Sequence, residues 1–395
     1  MNMNFKIAIV IANPDFSFQG SNSAVASFLN NLGEALEKEG YNVGYFPDKK
    51  LHIAKPVIKH SFIKRIVMNF IKKVMPGLLF NYKFKNYFRR VDLLNHSFSA
   101  GVKGYDLVLE FCVYGSQVGS LAKTDTNSKH IVIFDSPLDE QFHEMFGKTG
   151  AFIKQIKVAE DNSLRSADLI ICYSSAVKKF LIEKKLTESA INIVPCIVWK
   201  KKSNIIPDIS KINIGFIGSF LSWHKTEILV QAFNQIAGKY PQSELILVGY
   251  GEEWQTIKKL ADLSPYKDRI ELTGYVSEDR LEEIKSTLNI GVMPGSNWYG
   301  SPLKLFEYAE SGIPIIAPST PTVNEYFKHN ENALIIDPEN ELQSLTNHLI
   351  ELIQSKGKRD QLSEAGLKMM QNDFAKERVM SKFVKLVNGV LNNEK

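Results

Sequence analysis

Short, nearly continuous apolar runs alternate along this chain with stretches in which apolar positions recur every three or four residues, and polar turns divide them. Phe5 to Ala12, Tyr105 to Phe111, Lys129 to Phe134, Leu169 to Cys172 and Ile191 to Cys196 are runs of the first kind. They are rich in Ile, Val and Leu and do not alternate with polar residues, which predicts strands covered on both faces, as in a parallel sheet. Between the first run and a strand predicted at Tyr41 to Phe46, Ala24, Phe28, Leu32, Ala35 and Leu36 fall at helical spacing up to Gly40. Strand, loop with Gly20 and Ser21, helix, strand is the opening of a nucleotide-binding α/β fold. No G-x-G-x-x-G is present there, so a Rossmann dinucleotide site is not expected. For Gly20 and Ser21 a plain β–α turn and a phosphate-facing loop fit equally. Ile153 to Ala167 predicts a further helix.

The pattern then breaks and restarts. After Trp199 comes K-K-K-S-N-I-I-P-D-I-S, polar and proline-containing, which reads as a linker over 199–210. Ile212 to Ile217, Glu244 to Val248, Ile270 to Leu272, Leu288 to Met293 and Ile313 to Ala317 predict a second set of strands, with helices at Ile228 to Ala237, Glu341 to Ser355 and from Arg359. Val379, Phe383, Leu386 and Val390 mark a terminal helix. The chain of 395 residues has length for two domains. The expected division is 1–198, then 211–375, then a terminal helix over 376–395.

One stretch carries most of the chemistry: M-P-G-S-N-W-Y-G-S-P-L-K-L-F-E-Y-A-E-S-G-I-P-I-I-A-P, Met293 to Pro318. It reads as a strand end, a Gly/Ser/Pro loop, and a short helix beginning at Pro302 with Ser301 as cap and ending at Gly312. The unpaired N–H groups and dipole of such a helix start form an anion site, and Lys304 adds a charge. Glu307, a turn inside, suits the hydroxyls of a ribose. An ordinary α/β crossover is the plainer reading of the same residues.

S-P-L-K-L-F-E-Y-A-E-S-G-I-P-I-I-A followed by H-N-E-N-A-L-I-I-D-P-E-N resembles the nucleotide-sugar signature of the retaining GT-B glycosyltransferases of family 4. The resemblance implies two Rossmann-like parallel-sheet domains facing a central cleft, with the terminal helix crossing back to the first. It also implies a donor site in the second domain. Glu307 matches the Glu that holds the donor ribose, and the N–H groups of Ser301, Leu303 and Lys304 would hold the diphosphate. Tyr299 stands where the family has a first Glu that contacts the donor sugar. In G-S-F-L-S-W-H-K-T-E, Lys225 matches a diphosphate lysine, and Ser219 stands where an Arg is common. His224 is a further donor or a packing residue beside Trp223. Gly249 in G-Y-G-E-E lies at a strand end near the nucleotide, the backbone around Val276 would serve the base, and Gly20 and Ser21 would face the phosphates from the first domain. In the first domain, Asp135 follows a strand end where the family often has His. It either orients or deprotonates an acceptor hydroxyl, or caps the next helix. His143 is a weaker acceptor-side candidate.

Charge adds a separate feature. The net charge is only +5, but all twelve charged residues from Lys49 to Arg90 are basic. Within this segment, 49–90, Phe62, Ile63, Ile66, Val67, Phe70, Ile71 and Val74 share one face of a helical wheel, opposite Lys64, Arg65 and Lys72. This fits a helix lying on an anionic membrane, and equally a core-facing helix with a solvated basic side. No recognition motif supports nucleic-acid binding. Cys112, Cys172 and Cys196 lack metal spacing and read as reduced core thiols, no acidic grouping suggests a metal, and no cofactor is expected. The apolar start is too short for a signal peptide, and no run reaches the roughly 20 apolar residues of a membrane span. A cytoplasmic protein, with peripheral contact at the inner face of the cell membrane, is the expectation.

The function expected is retaining, metal-independent transfer of a hexosyl-type sugar from a nucleoside-diphosphate donor such as a UDP-sugar. The acceptor would be a hydroxyl, on a lipid-linked or protein glycan, in surface polysaccharide or glycolipid assembly. A nucleotide-sugar epimerase of the same fold and a non-catalytic nucleotide-sugar-binding scaffold are the alternatives.

Overall fold

Six apolar runs of the first half form a parallel sheet: β1 (Lys6–Val10), β2 (Asn42–Phe46), β3 (Leu107–Phe111), β4 (Lys129–Phe134), β5 (Leu169–Cys172) and β6 (Ile191–Ile193), in the order β2-β1-β3-β4-β5-β6. The computed structural model describes residues 5–18, 24–48, 76–147, 150–197, 199 and 211–392. Gly20, Ser21, the amphipathic stretch from Phe62 to Val74 and most of the linker at 199–210 lie outside these. Every residue of β3 and β5 is buried, as continuous apolar runs require when helices cover both sheet faces. β6 is shorter than the run predicted, because Pro195 has no N–H to extend a ladder. The helices between the strands are α1 (Ala24–Lys38), α2 (Pro76–Gly101), α3 (Val118–Asp125), α4 (Leu138–Phe146), α5 (Ala151–Ser166) and α6 (Ser175–Glu183).

A second parallel sheet follows, from β7 (Ile212–Ile217), β8 (Ser243–Val248), β9 (Ile270–Gly274), β10 (Ile290–Val292), β11 (Ile315–Pro318) and β12 (Leu334–Ile336), ordered β12-β11-β10-β7-β8-β9. Its helices are α7 (Thr226–Ile236), α8 (Trp254–Asp262), α9 (Glu278–Thr287), α10 (Leu303–Glu310), α11 (Pro321–Tyr326), α12 (Glu341–Gln354) and α13 (Lys356–Asn372), and the chain ends in α14 (Lys376–Asn392). The core of this half joins Ile214, Phe216, Leu245, Leu247, Ile290 and Val292 of the strands to Leu229, Phe233, Leu345 and Leu349 of α7 and α12.

The chain forms two compact units: Met1–Tyr173 with Lys178–Val194 and Met380–Lys395, and Ser174–Val177 with Pro195–Val379. Within the first, Phe383 of α14 is buried edge-on against Phe28 of α1, ring centroids 6.4 Å apart. Among the described residues no helix is long and apolar enough to cross a membrane.

Candidate functional site

The start of α10 differs from the expected cap. Leu305 and Phe306 donate to the Pro302 carbonyl at 3.0 and 3.1 Å, and Pro302 has ψ 46°, outside the helical range. Pro302 is therefore the N-cap residue, not the first helical one, and Ser301 does not cap: its Oγ is buried with no hydrogen-bond partner. The Leu303 amide, expected to serve a phosphate, donates to the Ser301 carbonyl at 2.9 Å. The loop before the helix is braced by its own polar groups. Asn297 Oδ1 accepts from the Gly300 amide at 2.7 Å, and Thr322 Oγ1 donates to the Gly300 carbonyl at 2.9 Å. An unsatisfied buried hydroxyl at a helix start is costly by itself and fits a site that completes its bonding with a ligand.

Lys304 runs back from α10 across the end of β7. A Cβ placed on Gly218 would stand 1.9 Å from Lys304 Cε, so only glycine leaves the lysine this path. The Lys304 ammonium lies 3.2 Å from His224 Nε2, and His224 Nδ1 lies 2.6 Å from the Ser219 carbonyl. A carbonyl only accepts, so Nδ1 carries the proton and Nε2 is the acceptor that aims Lys304. Burial, then the neighbouring Lys304 charge, lowers the His224 pKa to about 3, which keeps the ring neutral. Burial likewise lowers Lys304 to about 8, with Glu307 opposing. The His224 ring packs edge-on against Trp223 at 5.9 Å, as expected beside that residue, and its Nε2 is an acceptor that orients the lysine rather than a further phosphate donor.

The other donor candidates separate into those nearby and those engaged elsewhere. Gly249, at φ 131°, closes on the Gly218 carbonyl, where a Cβ would sit 1.9 Å away. Glu307 is half-buried one turn along α10 from Lys304. Val276 is half-buried just past β9, and Ser219 is exposed. Lys225 is a residue in left-handed conformation at the start of α7, and its Nζ pairs with Glu341 of α12 at 2.5 Å. Tyr299 is 1 % exposed, its ring edge-on to Trp298, so it is enclosed within this unit.

In the first unit Asp135 lies just past β4, half-buried, and desolvation raises its pKa to about 6. It does not cap α4: the N-cap is Pro137, which offers no side-chain bond. The Ser136 hydroxyl beside it is buried and unpartnered. Tyr114 Oη donates to Gln141 Oε1 at 2.8 Å, and burial, then neighbouring charges that include Asp135, pushes the Tyr114 phenol up. His143 is exposed on α4. Sequence reasoning missed Tyr114, Gln141 and Gly218; of these only Gly218, directly before Ser219 at a strand end, carried a local signal. Among the described residues no group of three or more His, Cys, Asp or Glu is arranged to hold a metal ion.

Residues 199–369 match the family described as glycosyl transferases group 1. A glycosyltransferase of Haemophilus influenzae is 24% identical over 357 residues, covering 89% of this chain and 93% of that protein. Among solved structures, sucrose-phosphate synthase from Thermosynechococcus elongatus superposes with a TM-score of 0.73 at 18% identity, covering 98% of each chain. Anabaena HepE in complex with UDP-glucose does so with a TM-score of 0.69 at 14% identity, covering 97% of this chain and 99% of that one.

Proposed function

We propose that this chain, whose residues 199–369 match the glycosyl transferases group 1 and whose fold is GT-B, transfers a sugar, with retention and without a metal, from UDP-sugar to a hydroxyl acceptor. The observation that carries the reading is the half-buried lysine of α10 aimed across a glycine, with a buried hydroxyl that lacks a partner three residues before it in the chain. A leaving diphosphate supplies an anionic partner for the lysine and an acceptor for the hydroxyl. The ammonium of Lys304 and the dipole of α10 meet the charge that develops as the sugar–phosphate bond breaks, and because neutral His224 already orients the lysine, little reorganisation is needed. Ser301 Oγ donates to the same phosphate. Glu307 takes the ribose hydroxyls, and the Val276 backbone takes the base. Lys225 contributes a second, weaker charge, since Glu341 shares it. The choice of UDP is supported by the UDP-glucose complex of HepE.

On the acceptor side Asp135 receives a hydrogen bond from the attacking hydroxyl and orients it, and the departing diphosphate oxygen takes the proton. Acceptors of the lipid-linked or protein-borne glycan kind, in polysaccharide or glycolipid assembly, fit the basic segment at 49–90, which would rest on the anionic inner face of the membrane. Replacing Lys64, Arg65, Lys72 and Lys73 should then weaken sedimentation with anionic liposomes; unchanged sedimentation removes the membrane part of the reading.

The test of the whole is a panel of nucleoside diphosphates and their sugars, read first by thermal stabilisation and then by release of sugar. Stabilisation by UDP with transfer to an added acceptor is the expected result. UDP binding without release or transfer would make the chain a scaffold, and interconversion of the donor sugar would make it an epimerase.

A further inference from the structure

An ion pair with one fully buried member sits beside the turn that carries Asp135 and takes no part in the chemistry above. Glu160 of α5 is 1 % exposed. Its Oε2 accepts the Leu138 amide at 2.8 Å, and its Oε1 meets Lys184 Nζ at 2.5 Å. Leu138 opens α4, and its N-cap, Pro137, has no side chain able to satisfy that amide, so Glu160 caps the helix from another element. Lys184, just past α6, also lies over the Phe180 ring, and Phe180 stacks on Phe134 at 6.4 Å with the planes 14° apart. Phe134 precedes the Asp135–Ser136–Pro137 turn and Leu138 follows it. One pair therefore grips both ends of the three-residue turn that carries Asp135.

Burying an ion pair is a poor route to stability, because desolvation offsets the attraction. A pair retained in such a place has its value in geometry. We propose that Glu160, with Lys184 as its counter-ion, is a positioning residue that holds Asp135 in its half-buried place, facing the acceptor hydroxyl. The inference rests on the acceptor role given to Asp135 above. The other titratable groups that reach this corner are Cys112, which faces Glu160, Lys184 and Asp135 together, Asp139 and Glu144 of α4, Asp161 beside Lys184, Glu110 of β3, and Tyr114.

Burial is what keeps Asp135 above the ordinary carboxylate range, so its titration reports whether the turn is closed. The full chain, labelled with 13C at the aspartate carboxyls and with Asp135 assigned through Asp135→Asn, is titrated by NMR. Glu160→Ala removes the cap, and Leu138→Pro removes the donor from the other side at a first helical position that tolerates proline. Each should lower the Asp135 midpoint from about 6 by about one unit toward the ordinary value of 3.8. Glu160→Gln keeps an oxygen for the Leu138 amide and should leave the midpoint near 6. The proposal is overturned if Glu160→Ala and Leu138→Pro both titrate as the parent, or if Glu160→Gln falls as far as Glu160→Ala. Should Glu160→Ala not fold, Leu138→Pro against Glu160→Gln decides. A separate transfer assay on Asp135→Asn keeps the two readings apart: undiminished transfer there ends the acceptor role, whatever the titration shows.

Discussion

Lys304 and Asp135 lie in different units, yet burial acts on both in the same sense, toward the neutral form. It brings Lys304 down to about 8 and Asp135 up to about 6. Each keeps its charge at neutral pH by a narrow margin, and each has a supporting neighbour: His224 beside the lysine, and Glu160 with Lys184 at the turn that carries the aspartate. The difference lies in how each support is built. Lys304 and His224 belong to two strand–loop–helix segments of one sheet, whereas the hold on Asp135 is assembled from α4, α5 and the residue after α6.

The comparison breaks most sharply at Lys304. Replacing it by Ala removes the half-buried charge proposed to meet the diphosphate, and transfer should fall about 10²–10³-fold. UDP affinity should fall about tenfold or more in the same variant, as for a lost charge-assisted hydrogen bond. Asp135→Asn comes next. Transfer should fall about a hundredfold while calorimetry with UDP returns the parent affinity, because that carboxylate lies outside the donor unit. The pH profile of kcat/KM should then be a bell with limbs near 6 and 8: activity rises as Asp135 ionises and falls as Lys304 loses its proton. Above pH 8, UDP binding should weaken about tenfold per pH unit until the lysine pKa in the complex is passed, and a flat profile would remove Lys304 from the diphosphate. Gly218→Ala, whose new methyl collides with Lys304 Cε, should reproduce part of the Lys304→Ala loss, about tenfold in UDP affinity. Lys225→Ala should cost least, a few-fold, since a half-exposed lysine already shared with Glu341 contributes little.

Much of the fold was legible because strands covered on both faces show as unbroken apolar runs. Lys129–Phe134, Leu169–Cys172 and Ile212–Ile217 occur at the bounds their sequences predict. The strand end, loop and short helix around Ser301 were legible too, since they lie within one short stretch. Its details were not. Proline is common as a first helical residue, yet Pro302 carries a non-helical ψ and leaves the Ser301 hydroxyl without a partner. The tautomer of His224 depends on the Ser219 carbonyl, brought under it by the turn at Ser222–His224, which no spacing rule announces. Lys225 looked available for phosphate because its partner, Glu341, lies more than a hundred residues away. The setting of Asp135 was legible only as a position at a strand end, since Glu160 and Lys184 reach it through tertiary structure alone.

The central claim is that Lys304 and the α10 mouth grip the donor's diphosphate, and a crystal structure of the chain soaked with UDP tests it most directly. The account predicts a phosphate oxygen within about 3 Å of both Lys304 Nζ and Ser301 Oγ. A diphosphate bound elsewhere, with Lys304 still resting on His224 and the Ser301 hydroxyl still unpartnered, would contradict it.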